Sequence, residues 1–126
     1  RAKLEFPDLR KKIVALAEQR GAKLVLIEEA GSGIQLLQDL RTGHAFGVKG
    51  IIPKDDKRTR LLSVSHMIEG GSISVPSDAP WLAAFQREIT LFPNGKYDDQ
   101  VDSLSQFLKW LAGSKPETFT IRGLGI

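Results

Sequence analysis

The sequence predicts an α/β fold, a largely parallel sheet flanked by helices, on three observations. The run Leu24-Val25-Leu26-Ile27 is apolar without interruption and of strand length, which suits a strand covered on both faces. Stretches with apolar residues at helical spacing alternate with strand-like runs, and that order needs crossover connections between parallel strands. The 126 residues are 41% hydrophobic, enough for one buried core, with no apolar run reaching the roughly 18 residues of a membrane span.

The elements follow in order. Leu9, Ile13, Leu16 and Ala17 share one helical face, with Pro7 tolerated in the first turn and Gly21 as the stop, so the spacing predicts a first helix. The apolar run after it predicts a strand ending at Glu28 and Glu29. Gly31-Ser32-Gly33 turns the chain into a short helix carrying Ile34, Leu36, Leu37 and Leu40, stopped at Gly43. Residues Ala45 to Pro53 read as a second strand and Lys57 to Ile68 as a helix ending at Gly70-Gly71. Ser72-Ile73-Ser74-Val75-Pro76 alternates like a short third strand. Two helices, Pro80 to Leu91 and Asp98 to Leu111, flank the loop Phe92-Pro93-Asn94-Gly95. Residues 1–112 are expected to form the domain, with 113–126 as a tail in which Phe119-Thr120-Ile121 offers an edge strand.

Composition excludes several classes of function. With no cysteine the chain has no disulfide, thiolate metal site or cysteine nucleophile, so any metal must be held by oxygen or imidazole. Eighteen basic against 15 acidic residues leave a net charge of +3, a mild attraction to polyanions that decides nothing alone. The start Arg1-Ala2-Lys3-Leu4-Glu5 has no signal-peptide pattern, and because it lacks methionine the chain reads either as a piece of a longer polypeptide or as one trimmed of a tag.

Two acidic features stand out. Glu28 and Glu29 fall at the carboxyl end of a strand, where open α/β sheets form their sites; the alternative is a pair of solvated loop carboxylates. Tyr97-Asp98-Asp99-Gln100-Val101-Asp102 opens a helix whose apolar seam is Val101, Leu104, Phe107, Leu108 and Leu111. Acids at a helix start are favoured by the macrodipole, but three in five residues exceed what a cap needs. On the helical wheel Asp98 lies nearest the seam, while Asp99 and Asp102 project further toward water. Such carboxylates suit hard divalent cations, either magnesium or manganese in a hydrolytic centre or a structural calcium.

In order along the chain, Leu26-Ile27-Glu28-Glu29-Ala30-Gly31-Ser32-Gly33, Leu37-Gln38-Asp39-Leu40, Pro53 with Lys57 and Arg60, Gly71-Ser72-Ile73-Ser74-Val75-Pro76, Trp81 to Phe85, and Phe92-Pro93-Asn94-Gly95-Lys96-Tyr97-Asp98-Asp99-Gln100-Val101-Asp102-Ser103-Leu104 resemble the C-terminal nuclease region of the large terminase subunit of tailed bacteriophages. The last block is the most specific. The resemblance implies a ribonuclease H-like, two-metal DNA endonuclease that cuts concatemeric double-stranded DNA during genome packaging, in the cytoplasm of a bacterial host. It implies Mg2+ or Mn2+ held by Glu28, Asp98 and Asp99 as the catalytic acids, with Asp102 in support and Glu29 beside them. It also favours phosphate contact for the basic cluster Lys54, Lys57, Arg58 and Arg60, which otherwise reads as a solvated helix face with Lys49 nearby.

The family's acid on the first strand, and the Walker loop of its motor, have no counterpart here. The fold expected is therefore a ribonuclease H-like domain lacking the N-terminal strands. Its partners would be double-stranded DNA, the missing upstream ATPase and nuclease segment, other packaging proteins, and a second copy pairing along an exposed sheet edge. The competing reading is a non-catalytic fragment that supplies a DNA-binding, docking or self-association surface. His44 and His66 lack metal-ligand spacing, Ser63, Ser65 and His66 form no nucleophile arrangement, and Trp81, Phe85 and Trp110 read as packing residues.

Overall fold

The computed structural model describes residues 4–41, 43–44 and 46–113. Among them are five helices and one parallel two-stranded sheet, distributed over two compact units, residues 1–54 and 55–126.

The first unit holds α1 (Phe6–Gln19), β1 (Leu24–Glu28), α2 (Ser32–Leu40) and β2 (Gly47–Ile51). Helix α1 begins at Phe6 with Pro7 in its first turn and ends at Gln19, capped by Arg20 ahead of Gly21, whose φ of 61° is a conformation that glycine adopts without strain. The strands pair in parallel from Leu24 opposite Gly47 to Glu28 opposite Ile51, as the predicted crossover requires. Helix α2 makes that crossover and packs on both strands, and Leu36, Leu37 and Leu40 are buried. Coverage of β1 is thinner than its apolar run predicts: Leu24 is exposed and Val25 to Glu28 are half-buried. β2 is shorter than the predicted Ala45–Pro53.

The turn from β1 into α2 explains the Gly-Ser-Gly sequence. Gly31 stands at φ 54°, and at Gly33 an added Cβ would overlap the backbone carbonyl oxygen of Glu28. Gly33→Ala is therefore expected to be strongly destabilising, with a thermal midpoint several degrees lower by circular dichroism, because the obstacle is backbone that cannot swing aside.

The second unit contains α3 (Lys57–Glu69), α4 (Leu82–Leu91) and α5 (Asp99–Gly113). Val64, Phe85, Leu104 and Leu108 form its buried core, with Ile73, Val75 and Trp81 packed around it. The alternation in Ser72–Pro76 is thereby accounted for without a third strand. The segment pairs with no ladder among the described residues; Ile73 and Val75 turn inward onto the core while Ser72 and Ser74 are exposed. Trp81 meets Phe85 edge-on at 5.9 Å and Phe107 lies 6.2 Å from Trp110, the packing roles expected of these aromatics. Residues 119–121 and the rest of the expected tail after Gly113 lie outside the described residues.

Helix α3 owes its start to Asp56, whose carboxylate accepts from the Thr59 backbone N–H and from the Thr59 hydroxyl, both at 2.9 Å. Those two hydrogen bonds hold its pKa below the ordinary 3.8. A depressed carboxyl adds stability that is complete above the unfolded value and lost as pH falls through the folded one. Acid titration of thermal stability should thus show a loss below about pH 4 that Asp56→Ala makes smaller.

Candidate functional site

In the first unit, Glu28 is the last residue of β1, fixed by its pairing with Ile51 and by an Ala30 N–H donating 2.9 Å to its carbonyl. Glu29 continues the ladder by one hydrogen bond, its N–H donating to the Ile51 carbonyl at 2.8 Å. Its carboxylate lies against Gly50, and it lines a recess of about 280 Å³ with Ile34, Leu37, Gln38, Arg41 and Ile52. Lys54 is exposed at the end of this unit, and His44 stacks on Phe46 at 5.1 Å.

In the second unit the acidic and basic clusters, assigned separate tasks from sequence, meet each other. The Lys57 ammonium donates to Asp98 Oδ2 at 3.0 Å, with the side chains 48% and 39% exposed. This bond, reinforced by the field of Asp102, Asp98 and Asp99, raises the Lys57 pKa above its ordinary value. One turn along both helices, Arg60 pairs with Asp102, and here the side chains are only 5% and 13% exposed. Arg60 also donates to the Asp55 carbonyl at 2.9 Å, and Asp55 in turn pairs with Lys109. Arg58 is exposed.

Two expectations change with this geometry. Asp102 was placed toward water by the wheel, yet it is more buried than Asp98, because α5 packs on α3 along a face that includes the Arg60 pair as well as the apolar seam. Arg60, expected on a DNA phosphate, has its head buried and bonded within the unit.

Sequence reading missed Glu88 altogether. It is buried on α4, and its Oε2 accepts from the Val101 N–H at 2.8 Å, one of the amides that the start of α5 leaves without an intrahelical partner. The cap comes from another helix, so no local motif announces it.

Residues 1–110 match the family model described as the terminase RNaseH-like domain. The chain belongs to that family. No curated protein and no solved structure matches significantly. The terminase domain so identified is α/β, and among the described residues no helix is long and apolar enough to cross a membrane.

Ribonuclease H-like nuclease domains generally use divalent metals. The carboxylates of the terminase domain fit that chemistry unequally. Asp98 is already paired with a cation, the Lys57 ammonium, and the pair is open to solvent. Asp102 does not fit: its two oxygens accept from Arg60 and, at 3.4 Å, from Gln106 Nε2. Among the described residues no group of three or more His, Asp or Glu is placed to hold an ion together.

Proposed function

We propose that the chain is a metal-dependent endonuclease domain of a phage large terminase, hydrolysing phosphodiester bonds of concatemeric double-stranded DNA as genomes are packaged. The match of residues 1–110 to the terminase RNaseH-like domain carries this reading. Glu28, at the end of β1, and Asp98 with Asp99, at the start of α5, are the acids assigned to Mg2+ or Mn2+. Such ions supply activation of the attacking water and neutralisation of the departing oxygen. The chain's own residues position these acids: Gly33 lets α2 close against the Glu28 carbonyl, Lys57 pairs with Asp98, which would hold an ion with Glu28 and Asp99, and exposed Lys54 and Arg58 would steady the DNA backbone. Residues 1–112 form the nuclease domain in this reading, with packaging proteins as partners.

The experiment is nicking of supercoiled plasmid in Mg2+ or Mn2+, with chelator as control, on the 126-residue chain and on a version extended upstream. Cleavage that needs the ion supports the proposal. Inactivity of both proteins sinks it.

The ion pairs Lys57–Asp98 and Arg60–Asp102 favour a second reading, a non-catalytic docking or DNA-binding module in which the acids serve only to join helices. That module would retard DNA in a gel without cutting it.

A further inference from the structure

Helix α2 buries one side against the sheet and leaves the other open. Leu36, Leu37 and Leu40 are buried, whereas Ile34, one turn before Leu37, is 51% exposed. Ile34, Leu37, Gln38 and Arg41 recur at the three- and four-residue spacing of one helical face. All four line the recess of about 280 Å³ together with Glu29 and Ile52, the latter 65% exposed just beyond β2. The recess therefore combines two exposed isoleucines with one charge of each sign, and those charges stand at opposite ends of α2. The close approach of Gly33 to the Glu28 carbonyl keeps Glu29 beside the helix start. Arg41 caps the far end of the nine-residue helix, which is about 14 Å long. Among the described residues no ion pair joins Glu29 to Arg41.

We infer that this face of α2 is the contact through which two copies of the chain associate, with α2 antiparallel to its counterpart about a two-fold axis. Such a contact must be its own complement, because what one copy offers at one end the other meets at the opposite end. An acid at the start of α2 and a base at its finish satisfy that condition. The antiparallel arrangement sets Glu29 against Arg41 of the second copy, repeats the pair at the other end, and removes Ile34 and Ile52 from water between them. Gln38 carries both a donor and an acceptor and can bond its own counterpart near the axis. Partners of one charge sign fit less well: Glu29 repels a DNA backbone, and an acidic or basic peptide leaves one charge of the recess unmatched. Six lining residues on each copy fall short of the roughly 20–30 of a standard interface, so the dimer forms only at high concentration. The contact is carried by the helix face and not by strand pairing, and it is independent of whether the acids of the chain hold an ion.

Sedimentation equilibrium of the full chain tests the inference: between about 10 μM and about 1 mM, the range of weak contacts, the weight-average mass should climb from that of one chain toward that of two. Ile34→Asp changes an exposed position and should weaken association by at least about tenfold while the thermal melting curve stays in place. Glu29→Lys and Arg41→Glu should each weaken it by at least about tenfold, because each variant alone brings like charges together at both ends of the contact. Mixed in equal amounts, those two variants should associate within about threefold of the wild type, since their heterodimer has opposite charges facing at both ends. A folding defect would not be cured by mixing. A wild-type chain that stays monomeric throughout that range overturns the inference and leaves the face to some other occupant. Association that survives Ile34→Asp also overturns it, in favour of strand pairing along the sheet edge, as does a mixture of the two folded charge variants that fails to recover.

Discussion

Asp98→Asn is expected to slow Mn2+-dependent nicking by at least about 100-fold while leaving the melting temperature nearly unchanged. Changes to groups that merely orient metal ligands cost about 10- to 100-fold, so loss of a ligand should cost no less. Stability should hardly move, because the Lys57–Asp98 pair is well exposed and such pairs contribute about 0–1 kcal/mol. That split separates a reacting group from a structural one. Glu28→Gln should behave in the same way, since its fold is set by backbone pairing with Ile51 and by the Gly33 turn rather than by its charge. Wild-type nicking by Asp98→Asn would take the acid out of the reaction. A parallel loss of folding and activity would instead return the α5 acids to helix joining.

Leu108→Ala should have the opposite profile, lowering stability by about 2–5 kcal/mol in denaturant titration. Leu108 is 0% exposed and lies among Val64, Phe85 and Leu104, side chains contributed by all three helices of the second unit. Truncation removes apolar contacts and leaves a hole that neighbours fixed on separate helices can fill only in part. Leu62→Ala on α3 is the control: at 62% exposure its loss should fall within about 0.5 kcal/mol. A drop under about 1 kcal/mol for Leu108→Ala would mean that this core is loosely packed.

The helices were legible because their signals are local. Pro7 and Gly21 bracket α1, Gly70 ends α3, and the seam from Val101 to Leu108 runs along α5. The strands were legible in kind but not in extent: an apolar run says strand without saying how fully neighbours cover it, and Ser72–Pro76 carries strand periodicity that the core satisfies by packing alone. At the candidate site, sequence found the acids and bases and missed their pairing. Nothing within α3 says that Arg60 turns inward, and nothing within α4 says that Glu88 caps a helix that starts eleven residues later. Both depend on how helices meet, which residue type and helical phase do not encode.

The meeting of α3 with α5 also changes how the chain should respond to electrolyte. Each phosphate neutralised on duplex DNA releases condensed counterions, so that log affinity falls with log salt by about 0.9 per contact. Four cations acting together would give a slope near −3.6, whereas Lys54 and Arg58 alone, with Lys57 and Arg60 already balanced by aspartates, give about −1.8. If the domain binds DNA as proposed, it would then hold the duplex lightly and tolerate ionic strength well.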